Sequence, residues 1–392
     1  AVTTIQLGFM ATEVGTGEIR AMVGGSQFGR KARYNLNHVT QILRQPGSSF
    51  KPFVYASALE KGVTPETIIS GGAFSYRLAS GETWTLSGKD SSSMVSLRSA
   101  LKYSLNTVAA RLITQYTTPR DVIGMAKRMG ITAKLDPVPS IALGSEEVSP
   151  YEMVAAFSVF PNHGIYMEPY AITRIEDQNG NVIFERKGNT DIRDAISPRV
   201  AKQMVSMMRG VVDGGTASRI RRWYKYAAAG KTGTTNDFAD AWFVGYTPQL
   251  AAGTWVGFDD MRIKFTGWYG QGGAAAAPIW GRFMAKVYAN KRLRYNPYAS
   301  FEDTTAVDTV DVYNLPLEDQ LPETPVQPDI TPVQPQTPPI LNENAENERK
   351  EVPLEKRTPL PPLRSMRQQA TTPERRTTAP DQRQTQSLPR VR

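Results

Sequence analysis

The sequence predicts a mixed α/β (α+β) fold, an antiparallel sheet flanked by helices plus an all-helical subdomain. Three observations predict it. Two strand-like runs surround Gly15-Thr16-Gly17, three more follow Ala227 with tight polar turns between them, and the intervening stretch carries helical apolar periodicity with cap and stop signals. With 392 residues and 40% hydrophobic content, the chain has material for a sizeable core.

The first strands are expected at Thr4 to Val14 and Glu18 to Val23, with Met22-Val23 a buried strand end ahead of the Gly24-Gly25 turn. A polar stretch from Ser26 to Gln45, with Tyr34-Asn35 inside it, leads to Gln45-Pro46-Gly47-Ser48-Ser49-Phe50-Lys51-Pro52-Phe53. There Gly47 frees a turn and Ser48 is expected to cap a helix. Phe53, Val54, Tyr55, Ala56 and Leu59 give that helix an apolar face, and Gly62 stops it. A second helical region runs from about Ser96 through Tyr103, turns at Ser104-Leu105-Asn106 and resumes from Val108 to Gln115. Helices follow at Pro119 to Met129, stopped by Gly130, and at Pro150 to Phe160, with Ser149 as N-cap. Ile172 to Ile175 and Val182 to Phe184 flank Asn179-Gly180 as a hairpin. Ser197-Pro198 opens a helix over Arg199 to Val212, whose Met204, Met207 and Met208 read as core filling.

The late strands, Ala227 to Thr235, Ala241 to Gly245 and Leu250 to Phe258, read as a meander with turns at Asn236-Asp237 and Thr247-Pro248. The Lys231-Thr232-Gly233 strand is its expected edge, open to pairing with an extended peptide. The last helix is expected over Pro278 to Ala289 with Trp280, Phe283 and Val287 toward the sheet, and Gln271-Gly272-Gly273 as its flexible lead-in. After about Tyr298, proline, threonine and glutamine dominate, acidic residues fill Glu302 to Glu348, and arginines take over from Arg349. The expected organisation is therefore one domain over 1–298 and a disordered charged tail over 299–392.

The chain has no cysteine and only His38 and His163, which excludes disulfides and thiolates and leaves little material for a zinc centre or a Ser-His-Asp triad. Both histidines are expected in turns or at the surface. The formal charge of +9 sits largely in the last forty or so residues with no nucleic-acid-binding motif beside it, so no nucleic acid is expected. The charge of that basic end suits contact with an acidic wall polymer or membrane surface. No run reaches the ~20 apolar residues of a membrane span, and the chain opens on Ala1 rather than Met, so it reads as an excised piece.

Chemistry concentrates in three short segments. Residues three apart on a helix share a face, so Ser48 and Lys51 would sit side by side, and an amine whose pKa is lowered by burial can activate a serine. Alone, Ser-x-x-Lys is an ordinary N-cap followed by a solvated lysine. In Ser104-Leu105-Asn106, a turn between helices suits a proton-relaying hydroxyl and an amide that holds both Lys51 and a substrate carbonyl, although the tripeptide also reads as a simple N-cap. Lys231-Thr232-Gly233, followed by Thr234, completes the set.

In this order the three are the signature motifs of penicillin-binding proteins and serine β-lactamases. With Gly17-Glu18-Ile19-Arg20-Ala21-Met22-Val23-Gly24-Gly25, Arg44-Gln45-Pro46-Gly47-Ser48, Ala142-Leu143-Gly144, Glu147-Val148-Ser149-Pro150 and Gly230 to Asp237, the chain resembles the transpeptidase domain of class A penicillin-binding proteins from about Gln6 to Ala289. Leu105 departs from the Ser-Asp-Asn form but keeps Ser-x-Asn.

The resemblance implies a β-lactamase/transpeptidase-like fold and a D,D-transpeptidase that needs no metal or cofactor. It implies Ser48 as nucleophile, Lys51 as its base, Ser104 and Lys231 as the path returning a proton to the leaving amine, and backbone N–H groups of Ser48 and Thr234 as oxyanion hole. Asn106, Thr232 and Thr234 would bind substrate, and Gly233 would be needed because a side chain there blocks backbone approach. The implied partners are peptidoglycan stem peptides ending in D-Ala-D-Ala, and β-lactams that imitate them. An extracytoplasmic location follows, with a membrane anchor and a glycosyltransferase domain upstream that this chain does not contain. The competing expectations are a β-lactamase using Glu146, Glu147 or Glu152 to activate water, a D,D-carboxypeptidase, and a non-catalytic penicillin sensor. Ser49 is the rival nucleophile.

Overall fold

The computed structural model describes residues 4–25, 36–78, 80–88, 93–188, 191–235 and 238–302, all within one compact unit, Ala1–Asp319. Tyr34-Asn35, the Asn236-Asp237 turn and the tail from 303 lie outside the described residues.

The central sheet joins the two ends of the folded part. Strands β1 (Gln6–Glu13), β2 (Ile19–Val23), β3 (Ala229–Thr234), β4 (Ala241–Tyr246) and β5 (Leu250–Gly257) pair antiparallel in the order β3-β4-β5-β1-β2. β1 zips onto β5 from Gln6↔Gly257 to Glu13↔Leu250, while β3 and β2 form the two edges. β3 is the strand of Lys231-Thr232-Gly233, so the expected edge position holds. On β2 the residues alternate, and Met22, 36% exposed, faces outward rather than being buried, because an edge strand has one face turned to solvent.

The helices are α1 (Lys51–Glu60), α2 (Leu97–Lys102), α3 (Asn106–Arg111), α4 (Pro119–Arg128), α5 (Pro150–Ser158), α6 (Pro198–Gly214), α7 (Gly272–Ala275) and α8 (Ala277–Ala289). α5 lies across β5, β1 and β4, and α8 also packs on the sheet through Trp280 against Phe243 (ring centroids 5.4 Å) and Phe283 against Phe9 (4.6 Å). α1 is enclosed by α4, α6 and α3. Caps follow the sequence: Ser149 and Glu152 make a reciprocal capping box at α5, and Ser197 accepts from Val200 N at α6. Met204, Met207 and Met208 are fully buried, as core filling requires.

Four further expectations need correcting. Ser48 caps nothing: a 3-10 turn over Gly47–Phe50 precedes α1, and neither end of it carries a side-chain cap. α1 has no polar face, since every residue from Lys51 to Leu59 is buried. His38 is buried, stacked on Trp255 (5.4 Å), its Nδ1 2.6 Å from Gly24 O and its Nε2 2.7 Å from Asp259 Oδ1. Two acceptors across the strand ends give an imidazole a better place than solvent does. Gln271-Gly272-Gly273 is not a loose lead-in: a Cβ on Gly272 would lie 2.1 Å from Trp242 O, and one on Gly273 2.4 Å from Thr216 O. Those glycines exist for close backbone packing behind β3 and β4.

Candidate active site

The site begins with three backbones brought nearly into contact. Gly47 has φ +52° and a Cβ there would lie 2.5 Å from Thr234 O, while Gly144, φ +76°, would place one 2.1 Å from Gly47 O. A Cβ on Gly233 would lie 2.3 Å from Pro46 O and 2.9 Å from Ser49 Oγ. The nucleophile turn, the turn ending at Gly144 and the edge strand β3 therefore meet where side chains cannot fit. This refines the expectation for Gly233, whose missing side chain lets its own strand reach the Pro46 turn. Further bonds hold that turn from outside: Trp242 Nε1 donates to Gln45 O (2.9 Å), and Arg44 Nη2 donates to Phe258 O (2.6 Å) and Asp259 O (3.1 Å).

The two neighbouring serines differ in kind. Ser49 is fully buried and donates to Pro46 O at 2.7 Å, a bond that stabilises the turn. Ser48 is half-buried, its hydroxyl makes no hydrogen bond among the described residues, and it lines a cavity of about 350 Å³ together with Asn106, Thr234, Trp84, Leu86 and Leu143. A reactive hydroxyl needs that kind of access.

Beside Ser48, two lysines converge on a third hydroxyl. Lys51 Nζ donates to Ser104 O (2.7 Å), Ser104 Oγ (3.2 Å) and Asn106 Oδ1 (2.6 Å). Lys231 Nζ donates to the same Ser104 Oγ (2.8 Å) and to Thr232 O (3.0 Å). Ser104 holds this bridge with φ +59°, a left-handed conformation unusual for a residue other than glycine. It is not an N-cap, and Leu105, which occupies that position for α3, makes no capping bond. Both lysines are fully buried. Desolvation brings Lys231 down to about 7, and desolvation followed by the nearby Lys231 charge holds Lys51 well below the ordinary lysine range. α1 can impose this burial because Phe50, Phe53, Val54 and Leu59 enter the core with it, each contributing about 1.5–3 kcal/mol against a penalty of several kcal/mol for one buried charge.

Of the expected substrate-binding residues, Asn106 and Thr234 reach the cavity, while Thr232 and Gly233 do not line it. Thr232 is nearly buried and shares a hydrogen bond with Thr216 (Oγ1–Oγ1 2.7 Å), and Thr234 Oγ1 accepts from Gly272 N (3.1 Å). Thr216 was not singled out from the sequence. Its position after Gly214-Gly215, where α6 ends, is a signal of backbone exposure but not of what its hydroxyl meets.

No carboxylate lines the Ser48 cavity among the described residues. Glu152 accepts from Thr132 N, Thr132 Oγ1, Ala133 N, Ser149 N and Ser149 Oγ at 2.7–2.9 Å. Burial would raise its pKa, but these donors prevail and hold it below the ordinary carboxylate range. Glu146 accepts from Asp136 N (3.2 Å), and Glu147 is exposed. A larger cavity, about 600 Å³, is lined by Tyr151, Glu152, Tyr166, Glu168 and Arg193 and contains no residue of the three reactive segments, so size does not mark the site.

Comparison with known proteins agrees with the geometry. The family model described as penicillin binding protein transpeptidase domain matches residues 7–285. Penicillin-binding protein 1A of Aquifex aeolicus is 38% identical over 295 residues, 74% of this chain and 39% of the relative. That of Neisseria lactamica is 37% identical over 292 residues, 71% of this chain and 35% of the relative. The chain thus spans less than two fifths of the length of these relatives. Among solved structures, penicillin-binding protein 1A from Haemophilus influenzae superposes with TM-score 0.68 at 28% identity, covering 76% of this chain and 48% of the other. The PonA1 protein from Mycobacterium tuberculosis in complex with penicillin V superposes at 0.62 with 23% identity, covering 72% and 78%, and shares the fold.

Proposed function

This chain belongs to the penicillin-binding protein transpeptidase family, and from that premise we propose that it is a serine acyltransferase domain cross-linking peptidoglycan stem peptides that end in D-Ala-D-Ala. The observation that carries the proposal is Ser104 Oγ bridged between two buried lysines, beside a cavity lined by Ser48, whose hydroxyl makes no hydrogen bond among the described residues.

As an ammonium, Lys51 matches three N–H groups to three acceptors. As a neutral amine, it still satisfies Ser104 O and Asn106 Oδ1 with two N–H groups and frees a lone pair. Burial, followed by the nearby Lys231 charge, lowers its pKa well below the ordinary lysine range and so shifts the balance toward that neutral form. We assign Lys51 as the base for Ser48. Ser48 Oγ bonds to the carbonyl carbon, backbone N–H groups of Ser48 and Thr234 hold the oxyanion, and the C–N bond to the terminal residue breaks. Ser104, backed by Lys231, returns the proton to the leaving amine. Such an oxyanion donor is typically worth about a hundred- to a thousandfold in rate. Thr234, with Lys231 behind it, holds the terminal carboxylate, and Asn106 holds the peptide amide, while Thr232, paired with Thr216 outside the cavity, supports the strand that carries them. An amine from a neighbouring stem then takes the acyl group. That no carboxylate lines the cavity among the described residues favours a long-lived acyl-enzyme over a β-lactamase's rapid hydrolysis.

The partners that follow are stem peptides and β-lactams, in an extracytoplasmic location. No helix among the described residues is long and apolar enough to cross a membrane. Residues 1–298 form the proposed catalytic domain, and the basic tail is proposed to contact wall polymer or membrane surface. The test is mass spectrometry of the intact chain over a time course with penicillin. One stable adduct, absent from Ser48→Ala, is expected. An adduct persisting in Ser48→Ala would move the nucleophile to another serine, and rapid turnover of penicillin would make the protein a β-lactamase.

A further inference from the structure

Return of a proton to the leaving amine depends on Lys231 Nζ staying within reach of Ser104 Oγ (2.8 Å), although the two residues are 127 positions apart. Lys231 belongs to β3, an edge strand with a ladder partner, β4, on one side only. Ser104, with φ +59°, follows the end of α2 by two residues. Thr216 ties the two together. Its N–H donates to the carbonyl of Lys102, the last residue of α2 (3.3 Å), and its hydroxyl shares a hydrogen bond with that of Thr232, the neighbour of Lys231 in β3 (2.7 Å). Because Lys231 Nζ also donates to Thr232 O (3.0 Å), the contacts close a ring that runs from Ser104 through Lys231, Thr232, Thr216 and Lys102 and back along the chain to Ser104. The end of α6 is shaped for this. A Cβ on Gly215 would lie 2.5 Å from Lys102 O, and one on Gly273 2.4 Å from Thr216 O, so backbone packs on backbone at both sides of the threonine. Thr216 is exposed, whereas Thr232 is nearly buried. The bond between them therefore does more for the strand than for Thr216, because it satisfies a hydroxyl that is largely cut off from water.

We propose that Thr216 is a positioning residue for acyl transfer, holding Lys231 against Ser104 so that this pair can return the proton to the leaving nitrogen. This deepens the reading of Ser48 as nucleophile and rests on it. The test compares two acyl donors that both carry a carboxylate, benzylpenicillin and the thioester of benzoyl-D-alanine with thioglycolic acid. In both, Ser48 Oγ bonds to the carbonyl carbon and Lys51 takes the serine proton. In penicillin the C–N bond then breaks and the nitrogen must receive a proton through Ser104, whereas in the thioester the C–S bond breaks and sulfur leaves as a thiolate that needs none. Reaction of the full chain is followed by mass spectrometry with penicillin, and as kcat/KM for thiol release with the thioester. Thr216→Val is expected to slow penicillin acylation about tenfold, the scale of one hydrogen bond, and to change the thioester reaction by no more than about twofold. Thr216→Ser, which keeps the hydroxyl, should match the unmodified protein with both donors. Thr232→Val removes the same bond from the other side and should reproduce the selective loss, and it decides alone if Thr216→Val does not fold. Unchanged rates overturn the proposal. Equal losses with both donors also overturn it, and would make Thr216 a contact of the carboxylate that the donors share. Absence of any penicillin adduct on the unmodified protein would instead overturn the nucleophile assignment.

Discussion

Two amines that share one hydroxyl cannot both carry charge in a dry interior without cost, and Lys51 and Lys231 are both fully buried against Ser104. The consequence is measurable as stability. In the unfolded chain both lysines titrate near the ordinary value of 10.5, whereas Lys231 in the fold titrates at about 7 and Lys51 is also lowered. Between those values the unfolded chain binds more protons, so unfolding becomes harder as pH rises and stability lost toward pH 7 is regained toward pH 10. Lys231→Met, comparable in volume and uncharged, should remove its share of that slope, up to about 1.4 kcal/mol per pH unit. Urea unfolding at a series of pH values measures it, and matching slopes in both proteins would mean that Lys231 is solvated. The three motifs were legible from residue type and order. What they do to one another was not, because the opening of Ser48 to the cavity and the meeting of both lysines at Ser104 depend on elements far apart in the chain.

At the scale of elements, the nucleophile turn is shaped by neighbours as much as by its own residues. Gly144 has positive φ and no room for a Cβ beside Gly47 O. Gly144→Ala should therefore displace the turn, lowering stability by about 1–3 kcal/mol and slowing penicillin acylation at least tenfold. Melting temperature and adduct formation check both, and an alanine variant with normal acylation would show that the two turns move independently. Helix boundaries at α4, α5 and α6 were legible because Pro and Ser caps act locally. Burial of His38 and of all sides of α1 was not. Both depend on elements far along the chain, Asp259 for the imidazole and α4 and α6 for the helix.

For the whole molecule, the decisive feature is that β1 lies between β5 and β2, inside the sheet rather than at its margin. Deleting residues 1–13 should abolish folding, because it leaves β5 and β2 without their shared partner. Ending the chain after Glu302 should leave melting and acylation unchanged, since Phe301 still packs on Tyr246 (5.7 Å) and Tyr298 on Tyr226 (5.5 Å). Circular dichroism and adduct formation on both truncations test this, and a stable fold without β1 would contradict the pairing. The sequence by itself determined the fold class, the edge position of the Lys231 strand and the three reactive segments, because strand alternation, caps and motif chemistry act over a few residues. Only the tertiary structure decided which serine lies open, how two lysines meet at Ser104, and that Trp84 walls the cavity. Those outcomes need contacts between residues tens to hundreds of positions apart, and the energy of desolvating them together.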